Sequence, residues 1–193
     1  GAVSRQWVRH GIRAGELRRA VAVDLDPEAI GRARDRAAAV SVDERIEFHV
    51  KDCVTSEVDV TDGCDVVFVG NFSIGYIQTR RELVTYLKRS RRRLELGNAG
   101  FGGGVFVCDT YGGASAFKLG GFTRRHPARG REMIEYAWSH DAADPRDAIV
   151  ENSISFRILV DGDVVQEMPR AFTYRWRLWS IAELREALAE AGF

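Results

Sequence analysis

Four polar residues follow apolar runs that are typical of buried β-strands. They are Asp24, Asp52, Asn71 and Asp109. In an open α/β sheet, ligands bind outside the carboxyl ends of the strands, so these four residues are the first candidates for a binding site. A carboxylate in this place can accept hydrogen bonds from both hydroxyls of a ribose. We assign that role to Asp24, with a second helix cap or a solvated turn as the alternative.

Asp52 and Asn71 fit other parts of a nucleoside ligand and its reacting group. The Asp52 carboxylate can accept a hydrogen bond from the exocyclic amine of an adenine, and a plain turn aspartate is the competing interpretation. Asn71 and Phe72 follow the most apolar run, where a reacting group would lie. The faces of Phe72 and Tyr76 can attract a sulfonium cation, although such rings more often belong to a core.

Candidates for a general base are isolated in the sequence. They are Tyr76, Asp109, His126 and His140, and none has a partner at a spacing that identifies it. Aromatic residues are more concentrated: Tyr136, Trp138, Tyr174, Trp176 and Trp179 all lie within 60 residues of the carboxyl terminus. We predict that Tyr76, Tyr136, Trp138 and Trp176 line a substrate pocket from which water is excluded. Packing of the same rings between a hairpin and the sheet is the alternative.

The pattern of elements between residues 1 and 112 alternates helix and strand. Helices are predicted at 4–10, closed by Gly11, at 29–39, and at 81–96. Asp26, Pro27 and Glu28 form the start of the second helix, as a cap, a first-turn proline and a first-turn acid. Strands are predicted at 20–23, 46–50, 65–69 and 104–108, the third of them buried on both faces. A glycine-rich loop is predicted at 97–104.

Longer alternating segments follow at 134–139, 149–160 and 164–174. The dipeptide Asp161-Gly162 between the last two is a strong hairpin signal. Ser180 and Glu183 form a capping box for a last helix at 182–191, which ends at Gly192. The predicted fold is α/β, a doubly wound Rossmann-like, mostly parallel sheet with an antiparallel β insertion or lid before the last helix. The expected divisions are a core at 1–112, the insertion at 113–179 and the last helix at 180–193.

Composition excludes several classes of function. The chain of 193 residues is 45% hydrophobic, and its 28 basic and 28 acidic residues cancel, so it has no overall field to hold nucleic acid or an anionic membrane. Its three cysteines lack the close pair spacing of a metal site, so we predict no metal and reduced thiols in a cytoplasmic protein. No run is apolar and long enough to span a membrane.

The sequence resembles class I S-adenosylmethionine-dependent methyltransferases. The residues that carry the resemblance are VAVDLDPEAIGRAR at 21–34, FHVKD at 48–52, CDVVFV at 64–69, GGVFVCD at 103–109 and RLWSIAELREALAEAGF at 177–193. They are similar in order and spacing to the second, third, fourth and fifth strands of that family and to its last helix.

The resemblance implies S-adenosyl-L-methionine as cofactor and assigns residues to it. Gly1 would end the glycine-rich first loop that carries the methionine part, and Asp24 would hold the ribose. Leu25 would pack on the adenine, while Asp52 and the Cys53 backbone would form hydrogen bonds with the edge of the adenine ring. Asn71 and Phe72 would border the methyl group. By the same resemblance the first strand, most of its loop and the last two strands are missing, so we expect a fragment of a longer protein that binds the cofactor poorly when made alone.

The resemblance predicts transfer of a methyl group to a small-molecule acceptor by in-line displacement, in which alignment of the reactants can contribute about 7–11 kcal/mol. The sequence does not specify whether oxygen, nitrogen or carbon is methylated, nor the oligomeric state. A metabolite amine is the runner-up among acceptors.

Three other functions remain as alternatives. A nicotinamide-dependent oxidoreductase would share a ribose-binding aspartate. A nucleic-acid methyltransferase would use the basic stretch at 88–93, but Asn71 to Ile74 lacks the two prolines and aromatic usual in enzymes that methylate base amines. A non-catalytic scaffold could keep the fold, although Asp24 and Asp52 are present.

Overall fold

The computed structural model describes residues 1–55, 63–97 and 103–193. The chain divides into two compact units, Gly1–Thr61 and Asp62–Phe193. Most of the predicted glycine-rich loop at 97–104 lies outside the described residues.

The first unit contains one pair of parallel strands packed with two helices. Its elements are α1 (Ala2–Ala14), β1 (Ala20–Asp24), α2 (Pro27–Ala38), a 3-10 turn (Asp43–Arg45) and β2 (Ile46–Val50). Strands β1 and β2 are parallel, with Ala20 opposite Ile46. An apolar core joins α1, α2 and both strands, and it consists of Val8, Ala22, Ala37, Val42 and Ile46.

The predicted end of the first helix was wrong. Gly11 lies inside α1 and is buried, whereas the helix ends at Gly15, whose φ of 73° is left-handed. Gly15 donates its backbone N–H to the carbonyl of Ile12, the usual way in which a glycine closes a helix. A glycine inside a helix costs only about 1 kcal/mol relative to alanine, so Gly11 does not terminate the helix.

The start of α2 is confirmed. The Asp26 side chain accepts a hydrogen bond from the backbone N–H of Glu28 at 2.8 Å, and Pro27 occupies the first turn. The cap therefore sets where β1 turns into α2, and it leaves Asp24 at the end of the strand.

The second unit begins with another parallel pair. Its elements are β3 (Val66–Val69), a 3-10 turn (Ser73–Tyr76), α3 (Arg80–Arg93) and β4 (Val105–Cys108). Val66 lies opposite Val105 in the parallel register of β3 and β4. Helix α3 starts one residue earlier than predicted, because Thr79 and Glu82 form a capping box that the sequence analysis missed.

The prediction that the third strand is buried on both faces was wrong. Exposed and partly buried residues alternate along β3 and along β4. Val66 and Phe68 are 41% and 49% exposed, and their neighbours Val105 and Val107 on β4 are exposed on the same face. An unbroken apolar run identifies a strand, but it does not show that elements cover both faces.

A four-stranded antiparallel sheet follows, and its order is sequential. Its strands are β5 (Gly120–Pro127), β6 (Glu132–Asp144), β7 (Ile149–Val160) and β8 (Asp163–Arg177). The predicted Asp161-Gly162 hairpin is confirmed, with positive φ at both residues, as a two-residue turn between twisted strands requires. Strand β5 was not predicted, since its polar and glycine residues lack apolar alternation and all are exposed.

The last helix, α4 (Ile181–Ala191), confirms the predicted capping box. Ser180 and Glu183 hydrogen-bond reciprocally, and Gly192 closes the helix with φ 95°. Helix α4 packs with α3, and Arg80 of α3 forms an ion pair with Glu190 of α4.

The fold class is confirmed in part. The described strands form two parallel pairs and one antiparallel sheet that precedes the last helix. The full doubly wound sheet stays a prediction. None of the helices in the described ranges has the length and apolar character that crossing a membrane requires.

Candidate functional site

In the first unit, Asp24 and Asp52 lie at one edge of the parallel pair. Asp24 is opposite Val50, and its carbonyl accepts a hydrogen bond from the backbone N–H of Lys51 at 3.0 Å. Asp52 is therefore two residues beyond Val50, where the same ladder ends. The two carboxyl residues that the sequence singled out are brought to the same carboxyl edge of β1 and β2.

The Asp24 side chain is exposed and takes part in the turn that follows β1. Its Oδ1 accepts a hydrogen bond from the backbone N–H of Asp26 at 3.0 Å, which matches the solvated turn that was the alternative for this residue. Because a carboxylate has about four acceptor positions, this bond leaves capacity for two hydroxyl donors.

The Asp52 carboxylate is engaged by its own turn. Oδ1 accepts from the backbone N–H of Val54 at 2.8 Å, and Oδ2 accepts from the Thr55 hydroxyl at 2.7 Å. This arrangement matches the turn aspartate that was the alternative for this residue. The turn also holds the carboxylate in a fixed orientation.

Leu25, Cys53 and Gly1 differ in solvent exposure and in the space around them. Leu25, between the two aspartates of its turn, is 68% exposed, which leaves an apolar surface beside Asp24. Cys53 is partly buried. Gly1 lies so close to α2 that a β-carbon added to it would come within 2.3 Å of the Ala33 side chain, so only a glycine allows the two helices this approach.

In the second unit, Asp109 at the end of β4 holds the turn that follows β3. Its two carboxylate oxygens accept hydrogen bonds from the backbone N–H groups of Asn71, at 2.9 Å, and Phe72, at 2.7 Å. Asn71 and Phe72 both have left-handed backbone, with φ of 61° and 59°. The candidate base Asp109 therefore has a structural role in fixing a strained turn.

Phe72 directs its ring into an aromatic cluster, which we define as Phe72, Tyr111, Trp138, Tyr174 and Trp176. The rings of Tyr174 and Trp176 stack with centroids 4.6 Å apart, and Tyr111 lies 5.2 Å from Trp176. Phe72 contacts both Tyr111 and Trp176 at 5.6 Å. The turn after β3, the segment after β4 and the antiparallel sheet therefore meet in one place.

The backbone allows this close packing next to Phe72. Gly75 lies in the 3-10 turn, and a β-carbon there would be 3.0 Å from the Trp176 side chain. Trp176 is only 2% exposed, so the absence of a side chain at Gly75 lets the indole pack against the turn.

His140 joins the cluster through Tyr111. The Tyr111 hydroxyl lies 3.4 Å from both ring nitrogens of His140, and the two ring centroids are 6.2 Å apart. Burial raises the pKa of Tyr111, so this hydroxyl keeps its proton near neutral pH and can either donate to or accept from the imidazole, depending on its tautomer. A neutral imidazole beside it can accept a proton or a hydrogen bond.

The other predicted pocket residues lie at the margin of this cluster or outside it. Tyr76 is 52% exposed and meets the edge of Trp176 at 6.3 Å. Tyr136 packs instead between Phe122 and Phe156, farther along the same sheet face. Trp179 is buried elsewhere and donates its indole N–H to the Ile77 carbonyl. His126 is exposed on β5.

The sequence analysis missed Tyr111 and Asn152. Tyr111 follows Asp109 by two residues, so its position after a strand end was a usable signal. Asn152 lies on β7 opposite both His140 and Tyr174. Its membership of the aromatic sheet face depends on strand register, which the sequence does not give.

Comparison with known proteins finds similarity in structure alone. No protein-family model matches the sequence, and no curated protein matches it. Among solved structures, a S-adenosylmethionine-dependent methyltransferase from Clostridium acetobutylicum matches with a TM-score of 0.68 at 18% identity, covering 90% of this chain and 63% of that chain.

Two further structures match over nearly the whole chain. The amino pentose methyltransferase CalS10 of Micromonospora echinaspora matches with a TM-score of 0.60 at 15% identity, covering 97% of this chain and 81% of that chain. The sugar N-methyltransferase KedS8 of Streptoalloteichus matches with a TM-score of 0.59 at 18% identity, covering 98% of this chain and 78% of that chain. This chain thus spans less than two thirds of the Clostridium protein and has the fold of class I S-adenosylmethionine-dependent methyltransferases.

Proposed function

We propose that this protein is a S-adenosylmethionine-dependent methyltransferase that methylates a small-molecule amine. The observation that carries the proposal is the pair Asp24 and Asp52 at one carboxyl edge of a parallel pair, in a chain with the methyltransferase fold. Neighbours of similar fold include a sugar N-methyltransferase and an amino pentose methyltransferase.

The residues present fit the nucleoside part of this cofactor. The exposed Asp24 carboxylate keeps acceptor capacity for the two ribose hydroxyls, and the exposed Leu25 side chain offers an apolar surface to an adenine. Asp52, oriented by Val54 and Thr55, would accept the adenine amine, beside the backbone of Cys53. Gly1 would approach the methionine part.

S-adenosylmethionine supplies a methyl group on a sulfonium, which is a good leaving group. The protein's part is to align the acceptor with that methyl and to exclude water, and such alignment can contribute about 7–11 kcal/mol. The aromatic cluster fits the acceptor in this scheme. Its rings provide apolar walls and attract a positive charge by up to about 2 kcal/mol when water is excluded.

An amine acceptor in solution is mostly protonated, so it must lose a proton before it attacks. The imidazole of His140, beside the aromatic cluster, is the first candidate to take this proton, and the Tyr111 hydroxyl near its ring nitrogens can hold the imidazole in place. Tyr76, at the margin of the cluster, is the second candidate for this role.

The test is calorimetric titration of S-adenosylhomocysteine into the natural full-length protein and into Asp24→Asn. The asparagine keeps the oxygen that accepts from Asp26 but loses the charge, so we expect micromolar binding by the natural protein and at least a tenfold loss in the variant, about 1.4 kcal/mol. Asp26→Asn is the matched control, since asparagine caps a helix as well as aspartate does. Tighter binding of a nicotinamide dinucleotide would contradict the proposal.

A further inference from the structure

Asn152 is a buried polar side chain without a partner. It is 1% exposed, and within the described part of the chain neither the nitrogen nor the oxygen of its amide has a hydrogen bond. The indole nitrogen of Trp176, a residue 2% exposed, is in the same condition. Native proteins rarely leave such groups unpaired, because each loses its hydrogen bonds to water without replacement.

The two groups share one face of the antiparallel sheet. Asn152 on β7 lies opposite His140 on β6 and Tyr174 on β8. Trp176 lies opposite Val150, two residues from Asn152, and therefore on the same face. Across β7 the rings of Trp138 and Tyr174 approach to 6.0 Å and stack. The unpaired amide and the indole N–H of Trp176 thus lie on the sheet face that carries the aromatic cluster.

We propose that Asn152 and Trp176 form a hydroxyl-binding subsite for the methyl acceptor. An amide offers a donor and an acceptor together, and an indole N–H offers a donor. A hydroxyl group matches both, because its oxygen accepts while its hydrogen is donated to the amide oxygen. The acceptor is thereby a hydroxylated ring that carries the amine. This inference rests on the proposed function, since it takes the aromatic cluster as the acceptor site.

To admit such a group, the ring contacts beside Asn152 must open. The Tyr111 hydroxyl is 3.4 Å from each nitrogen of His140, which is longer than a well-formed hydrogen bond. His140 is the cross-strand neighbour of Asn152. A ligand hydroxyl that enters beside His140 exchanges this weak contact for bonds to the amide, and C–H groups of the ring pack against Trp138 and Tyr174.

A purely structural role for Asn152 makes a different prediction. Leucine has nearly the same shape as asparagine and no polar atoms, so Asn152→Leu removes two unpaired groups and should maintain or raise the melting temperature. If the amide binds no ligand, the affinity of the variant for amines should equal that of the natural protein. Ser153→Ala is the matched control, because Ser153 is also buried on β7 but lies on the opposite face, where its hydroxyl bonds Asp141.

The experiment compares two amines by calorimetry on the full-length protein saturated with S-adenosylhomocysteine. D-glucosamine carries hydroxyls on its ring, and cyclohexylamine has the ring and amine without them. We expect the natural protein and Ser153→Ala to bind glucosamine about tenfold more tightly than cyclohexylamine, since a site built for a hydroxyl rejects ligands that lack it. Asn152→Leu should lose this preference, and Trp176→Phe should reduce it.

The outcomes separate this inference from the proposed function. Equal binding of the two amines by the natural protein, or an unchanged preference in Asn152→Leu, overturns the hydroxyl subsite while S-adenosylhomocysteine still binds. Failure of the proposed function instead appears as failure of S-adenosylhomocysteine to bind in the natural protein. All variants should keep the affinity of the natural protein for S-adenosylhomocysteine, and an unchanged circular dichroism spectrum shows that the antiparallel sheet is folded.

Discussion

The Oδ1 atom of Asp109 accepts a hydrogen bond from the backbone N–H of Phe72 at 2.7 Å. The two residues follow adjacent parallel strands, and the second carboxylate oxygen accepts from Asn71. Phe72 has left-handed backbone, a conformation that costs a non-glycine residue about 1–3 kcal/mol when it is held in a strained turn. Asp109 therefore stabilises the conformation that directs the Phe72 ring into the aromatic cluster.

Replacing Asp109 by alanine should destabilise the protein by about 2–4 kcal/mol, because two backbone N–H groups lose a charged acceptor. The stability of Asp109→Asn should lie between those of the natural protein and Asp109→Ala, since an amide keeps one acceptor oxygen. Urea unfolding followed by circular dichroism measures both. If Asp109 were a general base instead, Asp109→Asn would abolish methyl transfer and leave the free energy of unfolding unchanged.

Two buried tryptophans, Trp176 and Trp179, should respond differently to the same substitution. Trp179 donates its indole N–H to the Ile77 carbonyl at 3.0 Å, so Trp179→Phe leaves a buried carbonyl unpaired at a cost of about 1–3 kcal/mol. In the described part of the chain the Trp176 indole N–H has no such partner. Trp176→Phe loses the same ring volume without that bond.

Urea unfolding of the two variants should therefore show Trp179→Phe to be the less stable by at least about 1 kcal/mol. The Arg177 guanidinium lies 3.9 Å from the centroid of the Trp179 ring. If phenylalanine packs less well against this guanidinium, the loss of stability in Trp179→Phe is larger still. Equal destabilisation by the two substitutions would show that ring volume dominates and that the bond to Ile77 contributes little.

The elements could be predicted from the sequence wherever local chemistry determines them. Asp26 with Pro27, Ser180 with Glu183, and Asp161 with Gly162 act through hydrogen bonds or backbone preferences within four residues. The end of α1 could not be predicted, because Gly11 and Gly15 differ only in the backbone conformation that the following chain imposes. Strand β5 lacks apolar alternation and exists because β6 pairs with it.

For the same reason, only part of the candidate site could be predicted from the sequence. Asp24 and Asp52 end strands, and a strand end can be found from a run of apolar residues. The role of Asp109 depends on a turn 37 residues away in the sequence, and that of Asn152 depends on register with β6 and β8. Long-range pairing of this kind is not encoded in any short pattern.

On the face of the sheet opposite the aromatic cluster, Glu135 is buried and paired with two exposed arginines. Its carboxylate is 2.9 Å from Arg125 Nε and 3.3 Å from Arg157 Nε. Replacing both arginines by methionine leaves a buried carboxylate without these partners, which should cost about 3–5 kcal/mol.

Glu135→Leu should cost less, because the arginines it releases reach water. Guanidine unfolding of the double arginine variant and of Glu135→Leu measures the asymmetry. A greater loss of stability in Glu135→Leu than in the double variant would mean that apolar contacts and hydrogen bonds of Glu135, rather than its charge, are what the sheet requires.

The capping box of α4 should make stability depend on pH through Glu183. The backbone N–H of Ser180 hydrogen-bonds this carboxylate and lowers the pKa of Glu183 below its usual value, and Arg177 lowers it further. A lowered folded pKa means that the stabilisation is complete above about pH 4.5 and is lost as the pH falls through the folded value.

Glu183→Gln isolates the charge, since glutamine also completes a capping box. The natural protein should be more stable than this variant at pH 7, and the difference should close as the pH falls from about 4.5 through the lowered folded pKa of Glu183, because the protonated glutamate then resembles glutamine. Glu132→Gln, at an exposed position of β6, serves as the control and should show little difference at any pH. A stability difference for Glu183→Gln that is the same at every pH would show that packing rather than charge sets the cost.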